Sequence, residues 1–144
     1  MKILLPIDGS EPALEAVRQA IRLTREGLRA SFVVANVQEP ARLYEMVRVH
    51  DAATIERASQ AAGAHLLAAA EEMLRHAGLE FESEVGTGDP GHVLVDVAER
   101  YGCDMVVMAA SNPGGVRDAL LGSVSRSVLH GANIPVLVVK TLAS

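Results

Sequence analysis

Three stretches of this chain place residues at spacings that could do chemistry. Residues 86–91 read GTGDPG, a match to the Gly-x-Gly-x-x-Gly turn that holds a pyrophosphate at a helix start in dinucleotide-binding domains. Asp8 closes an apolar run and is followed by Gly9 and Ser10. Its carboxylate is therefore either a ligand group at a strand end or a turn and capping residue. The segment 108–125, MAASNPGGVRDALLGSVS, joins an apolar run to a helix-like one through glycines. Gly122-Ser123 opens that helix, where backbone N–H groups and the helix dipole favour a phosphate. No Gly-Lys-Ser/Thr follows, so it is not a Walker loop.

GTGDPG fails the remaining requirement of its pattern, a carboxylate about twenty positions on to receive the ribose hydroxyls. The next strand-like run ends in Ala109, Ala110 and Ser111, and Asp104 lies at its opposite end. Asp89 and Pro90 are explained locally as a helix cap and a first-turn residue. Gly86 and Gly88 then turn the chain out of a strand, and the stretch reads as a helix start. The five histidines make no metal or catalytic set. His76 and His130 close helix-like segments, where a partial positive charge suits the dipole. His50, His65 and His92 read as surface residues rather than metal ligands. No Ser–His–Asp set assembles without arbitrary choice, and the methionines read as core filling. Cys103 is the only cysteine, which excludes an internal disulfide. With no His, Lys or Arg beside it, it reads as a small core residue rather than a reactive thiol.

The elements that must position these residues follow from periodicity. Buried strands are expected over 2–7, 31–37, 104–110 and 134–140. Ser10 caps a helix with Pro12 in its first turn and Leu14, Val17 and Ile21 along one stripe, ending at Gly27. An Ala-rich helix covers 52–77, a third carries Val93, Leu94, Val97, Ala98 and Tyr101, and a short fourth spans 123–130. Residues 38–51 read as a mobile connection. In 79–85 Leu79, Phe81 and Val85 alternate with Glu80, Glu82 and Glu84, the pattern of an edge strand with one wet face. Strand–helix alternation implies an α/β fold, a doubly wound parallel sheet, with ligands outside the C-terminal strand ends at the switch in strand order. The 144 residues, 49% of them apolar, suit one domain, 1–144. Lys and Arg number 13 against 18 Asp and Glu, a formal charge of −5, which argues against a nucleic-acid partner. No run of eighteen apolar residues is present and MKILLPIDGS turns polar at once, so neither a membrane span nor a signal peptide is expected. Together with the lone cysteine, this suggests a cytoplasmic protein.

ILLPIDGS (3–10), GDPG (88–91), DMVVMA (104–109), LLGSVSRSVL (120–129) and IPVLVVK (134–140) together resemble the universal stress protein family, in order and over nearly the whole chain, with only 38–60 unmatched. The resemblance implies a five-stranded sheet in order 3-2-1-4-5, Rossmann-like and adenine nucleotide alpha hydrolase-like, often dimerising through the last strand. A homodimer through 134–140 would also cover a continuously apolar strand at an edge. The family's ATP-binding pattern is Gly, two residues, Gly, nine residues, Gly, then Ser or Thr. Counting back from Gly122-Ser123, its first two glycines fall on Ala109 and Asn112, so both are replaced. By the same resemblance Asp8 would face adenosine with Pro6 and Ile7 beside it. Val37 would meet the adenine edge, Ser123 and Ser125 would contact phosphates, and Met108 and Val124 would complete the site. Ala109 reduces the room for a ligand to approach the backbone. Asn112 is pushed towards extended backbone by Pro113, which offers no N–H. Gly114 and Gly115 keep the loop pliable. Arg117 is either a phosphate partner or a solvated charge beside Asp118. The expected function is a dimeric stress-response regulator binding ATP or AMP weakly, without catalysis or a metal. The alternative is a member of the same family that has lost nucleotide and works as an interaction module for an unidentified protein partner. An enzyme on this fold ranks last, because no general base, metal set or cofactor loop is evident.

Overall fold

The computed structural model describes residues 1–39, 52–110 and 121–141. Along the chain they form β1 (Lys2–Pro6), α1 (Glu11–Arg25), β2 (Ser31–Gln38), α2 (Ala52–His76) and β3 (Phe81–Thr87). There follow α3 (Pro90–Arg100), β4 (Met105–Ala109), α4 (Ser123–Gly131) and β5 (Val136–Val139). The strands make one sheet in the order β3-β2-β1-β4-β5, every pairing parallel. Ile3 of central β1 pairs with Phe32 on one side and Met105 on the other. This is the doubly wound α/β architecture and strand order expected from the sequence.

β1, β2 and β4 are apolar at nearly every position because both of their faces are covered. Ile3, Leu5, Phe32, Val34 and Val107 pack with α1 and α2, while Leu4, Val33, Val106 and Met108 pack with α3 and α4. Each such side chain contributes about 1.5–3 kcal/mol by leaving water. The buried stripe of α1 is narrower than its large residues suggest, running through Ala13, Ala16, Val17, Ala20 and Ile21. Alanine there lets the helix lie close on the sheet. Ser10 Oγ accepts the Ala13 N–H at 3.3 Å, and Asp89 accepts the His92 N–H at 3.2 Å, so both expected caps form. His76 and His130 fall in the last turns of α2 and α4, as read. Cys103 is buried, and burial, its largest influence, pushes its thiol above the ordinary range, which fits a core residue.

The third strand departs from expectation in three respects. It begins two residues later than 79, because Gly78, at φ +73°, ends the α2 exit and the Leu79 N–H still closes back on the Leu74 carbonyl. It also extends through Thr87, so Gly86 is a strand residue paired with Val37, and only Gly88 turns the chain. A Cβ on Gly86 would lie 2.6 Å from Val93 Cγ1, so this glycine admits α3 against the sheet. The glutamate face is not wholly wet either. Glu84 is half-buried and accepts from Arg100 at 2.7 Å and from Tyr101 at 3.1 Å, beneath α3. β5 is shorter than 134–140, since Pro135 precedes the paired residues, and it is an edge strand with Leu137 37% exposed. Among the described residues no helix is long and apolar enough to cross a membrane.

Candidate functional site

The C-terminal ends of the parallel strands gather most of the residues singled out by the sequence. β1 delivers Pro6, Ile7 and Asp8 there. The Ile7 N–H donates to the Ala35 carbonyl at 2.8 Å, so the strand's register holds one residue past its last ladder pair. Asp8 is exposed, and its Oδ1 accepts both the Ser10 N–H at 2.9 Å and the Ser10 hydroxyl at 2.5 Å. Its turn role is therefore real: Asp8 orients the serine that caps α1. Val37, at the end of β2, is half-buried and packs with the apolar cluster under α3 and α4.

At the end of β4 the backbone folds over itself. The Ala110 N–H donates to the Val139 carbonyl at 2.9 Å, and the Gly122 N–H donates to the Ala110 carbonyl at 3.3 Å. Residues 110 and 122 thus meet at the foot of α4. Met108 is buried, and Ala109 spends its carbonyl on the Ser125 hydroxyl at 2.9 Å. Ser125 is itself buried, with that hydroxyl turned inward. Gly122 takes the cap position of α4 with no side-chain bond, so its first-turn N–H groups are not satisfied by a cap. Ser123 is exposed and Val124 half-buried. Asn112, together with Pro113, Gly114, Gly115, Arg117 and Asp118, lies outside the described residues, as does His50.

A cleft of about 410 Å³ opens at this end of the sheet, lined by Glu39, Gly88, Asp89, Pro90, Gly91, Ser123, Val124 and Ser127. The first turns of α3 and α4 therefore face one space. Of the expected site residues, Ser123 and Val124 line it. Pro6, Ile7, Asp8, Val37, Met108, Ala109, Gly122 and Ser125 do not. What draws the two helices together is Gly91, where a Cβ would fall 2.0 Å from Ser127 Oγ. GDPG is indeed a helix start, and it is also a wall of the cleft, a role that local reading misses. Asn36 and Ser59 were missed as well, although both are buried polar residues near the same edge. Asn36 had a signal: it interrupts the otherwise apolar SFVVANV. Among the described residues no group of three or more His, Cys, Asp or Glu side chains could hold a metal ion.

A parallel sheet in this order, with an Asp turn after β1 and a glycine-started helix after β4, defines a doubly wound α/β protein whose site region lies on the C-terminal edge. The family model for the universal stress protein family matches residues 1–140. Universal stress protein MJ0531 of Methanocaldococcus jannaschii is 30% identical over 139 residues, covering 96% of this chain and 81% of that protein. Among solved structures, that of the hypothetical protein MJ0577 aligns with a TM-score of 0.80 at 24% identity, covering 99% of this chain and 97% of the other. A universal stress protein family member from Arabidopsis thaliana with AMP bound aligns with a TM-score of 0.68 at 18% identity, covering 99% and 93%. The chain belongs to the universal stress protein family.

Proposed function

We propose that this protein is an adenine-nucleotide-responsive regulator that takes AMP, and ATP more weakly, at the C-terminal edge of its sheet. One observation carries the reading. Between adjacent β1 and β4 the chain leaves to opposite faces, α1 to one and α4 to the other, with the Asp8 turn and the uncapped start of α4 at the rim. Such a switch point is where doubly wound sheets bind ligands, and the first-turn N–H groups of α4, which no N-cap side chain holds, suit a phosphate. The AMP-bound Arabidopsis relative supports the choice of ligand. In this reading Asp8, Pro6, Ile7 and Val37 meet the adenosine. Ser123 and Val124 meet the phosphate at the start of α4, with Ala109, Met108, Gly122 and Ser125 behind them. The preference for AMP follows from Ala109 and from the Ser125 hydroxyl being held by the Ala109 carbonyl, which leaves fewer donors for a triphosphate. The protein works as a cytoplasmic homodimer through β5, whose Leu137 is exposed on an unpaired edge. No chemical step is assigned to it.

A second reading is a family member without nucleotide that acts by binding a protein. It is favoured by the inward-turned Ser125. Calorimetric titration of the purified protein with AMP and ATP, magnesium present, decides between them. Micromolar AMP binding that Asp8→Ala weakens roughly 10- to 100-fold, as loss of a charged hydrogen bond implies, supports the nucleotide reading. Silence with both ligands refutes it. Leu137→Lys in analytical ultracentrifugation tests the dimer: it should give monomer, and an unchanged mass would remove β5 as the interface.

A further inference from the structure

Asn36 is a buried amide in a strand that is otherwise apolar, and its bonds lead to the candidate site. It is 3% exposed. Its Nδ2 donates to the Ile7 carbonyl at 2.8 Å, across to a residue 29 positions earlier. Its Oδ1 accepts from Gln38 Nε2 at 2.7 Å. The β1–β2 ladder ends at Pro6 and Ala35, so here a side chain continues what the main chain has stopped doing. Ile7 is consequently held on both sides, its N–H by the Ala35 carbonyl and its C=O by Asn36. That C=O belongs to the same rigid peptide unit as the Asp8 N–H, so whatever holds it sets the direction in which Asp8 leaves the sheet.

The surroundings keep this amide in place. α2 passes directly over it at Gly63, where a Cβ would lie 2.3 Å from Val85 Cγ1 and 3.1 Å from Asn36 Oδ1. Nearby, Ser59 and Thr87 hydroxyls meet at 3.2 Å and Gln60 donates to the Val85 carbonyl at 3.3 Å, fixing α2 to the end of β3, the strand paired with β2. Packing alone would be served by valine, as at Val33 and Val34. A buried amide is tolerated only when its bonds are made; here Gln38 of the same strand holds the oxygen, and the nitrogen is spent on the Ile7 carbonyl, next to Asp8.

We propose that Asn36 is a positioning residue: it fixes the Ile7–Asp8 peptide and so presents the Asp8 carboxylate to the adenosine part of the ligand. This rests on the nucleotide reading of the Asp8 site given above. A residue that merely filled space would change stability without changing the turn.

The test uses the full chain and two variants, Asn36→Ala and Gln38→Met. The second removes only the bond to Oδ1 from a half-buried residue, so it remains folded if the first does not. In the ligand-free protein, amide hydrogen exchange at Ile7 and Ser10 is compared with the core amides of Leu4 and Val33. Asn36→Ala should speed exchange at Ile7 and Ser10 about tenfold beyond any change at Leu4 and Val33. It should also weaken AMP binding about tenfold, the equivalent of about 1.4 kcal/mol, and Gln38→Met should do both to a smaller degree. The proposal is overturned if Ile7 and Ser10 move only in step with Leu4 and Val33 in both variants. It is equally overturned if folded Asn36→Ala binds AMP as the parent does. A parent silent towards AMP would refute the nucleotide reading and the presentation of Asp8 with it, while the exchange comparison still decides whether Asn36 holds the turn.

Discussion

Gly91→Ala sets two physical rules against each other. Gly91 is the second residue of α3, and helix propensity favours alanine over glycine by about 1 kcal/mol. A methyl there, however, would lie 2.0 Å from Ser127 Oγ and 2.5 Å from Ser127 Cβ. The hydroxyl can rotate away, but the Cβ cannot. Non-bonded carbons sit about 3.5–4.0 Å apart, so α3 and α4 must separate by about 1 Å. Overpacking of this kind costs about 1–3 kcal/mol, which exceeds the propensity gain. The expected net effect is a loss of up to about 2 kcal/mol, or up to roughly 6 °C in melting temperature for a domain of this size. Ser127→Gly removes both offending atoms. Adding Gly91→Ala to that background should therefore be neutral or stabilise by up to about 1 kcal/mol. Urea unfolding of the parent, both single variants and the double variant measures the coupling directly. A Gly91→Ala effect that is the same with and without Ser127 would refute the argument that this contact sets the spacing of α3 and α4.

Asp89→Ala removes the cap of α3 and should cost about 1 kcal/mol, read as a lower urea midpoint with an unchanged slope; Asp89→Asn, which still accepts the His92 N–H, should recover most of it. Alkaline pH gives an independent check. Burial raises the thiol of Cys103, and burial followed by the Glu84 hydrogen bond raises the phenol of Tyr101. The folded state thus holds both protons more tightly than the unfolded chain does. Their stabilisation is complete below the ordinary values, about 8.5 for the thiol and about 10 for the phenol, and is lost as pH rises through the raised ones. Thermal melts should fall from about pH 8.5 upward and more steeply above about pH 10. Cys103→Ala should delay the first decline, and an identical profile in that variant would remove the thiol as its cause.

Much of the fold was legible because its signals are local. Uniformly apolar strands, the Ser10 and Asp89 caps and the alternation in β3 each report their own surroundings. The ends of β3 and β5 were less legible, because a strand stops where its neighbour stops pairing, and Gly86 and Pro135 act through partners distant in sequence. Glu84 was read as wet because alternation cannot show that Arg100 and Tyr101 of a later segment cover that face.

For the site, the sequence by itself determined which residues stand at the strand ends, Asp8, Val37 and Ala109, and that Gly122-Ser123 opens a helix. It also showed that GTGDPG opens a helix. Only the tertiary structure decided what their atoms are free to do. It turned the Ser125 hydroxyl onto the Ala109 carbonyl, drew the starts of α3 and α4 into one cleft through Gly91 and Ser127, and tied Asn36 to Ile7 across 29 residues. The physical reason is common to all three. Caps and periodicity act within a few residues of chain, whereas a hydrogen bond between strands or a contact between helices depends on crossovers whose geometry no short stretch encodes.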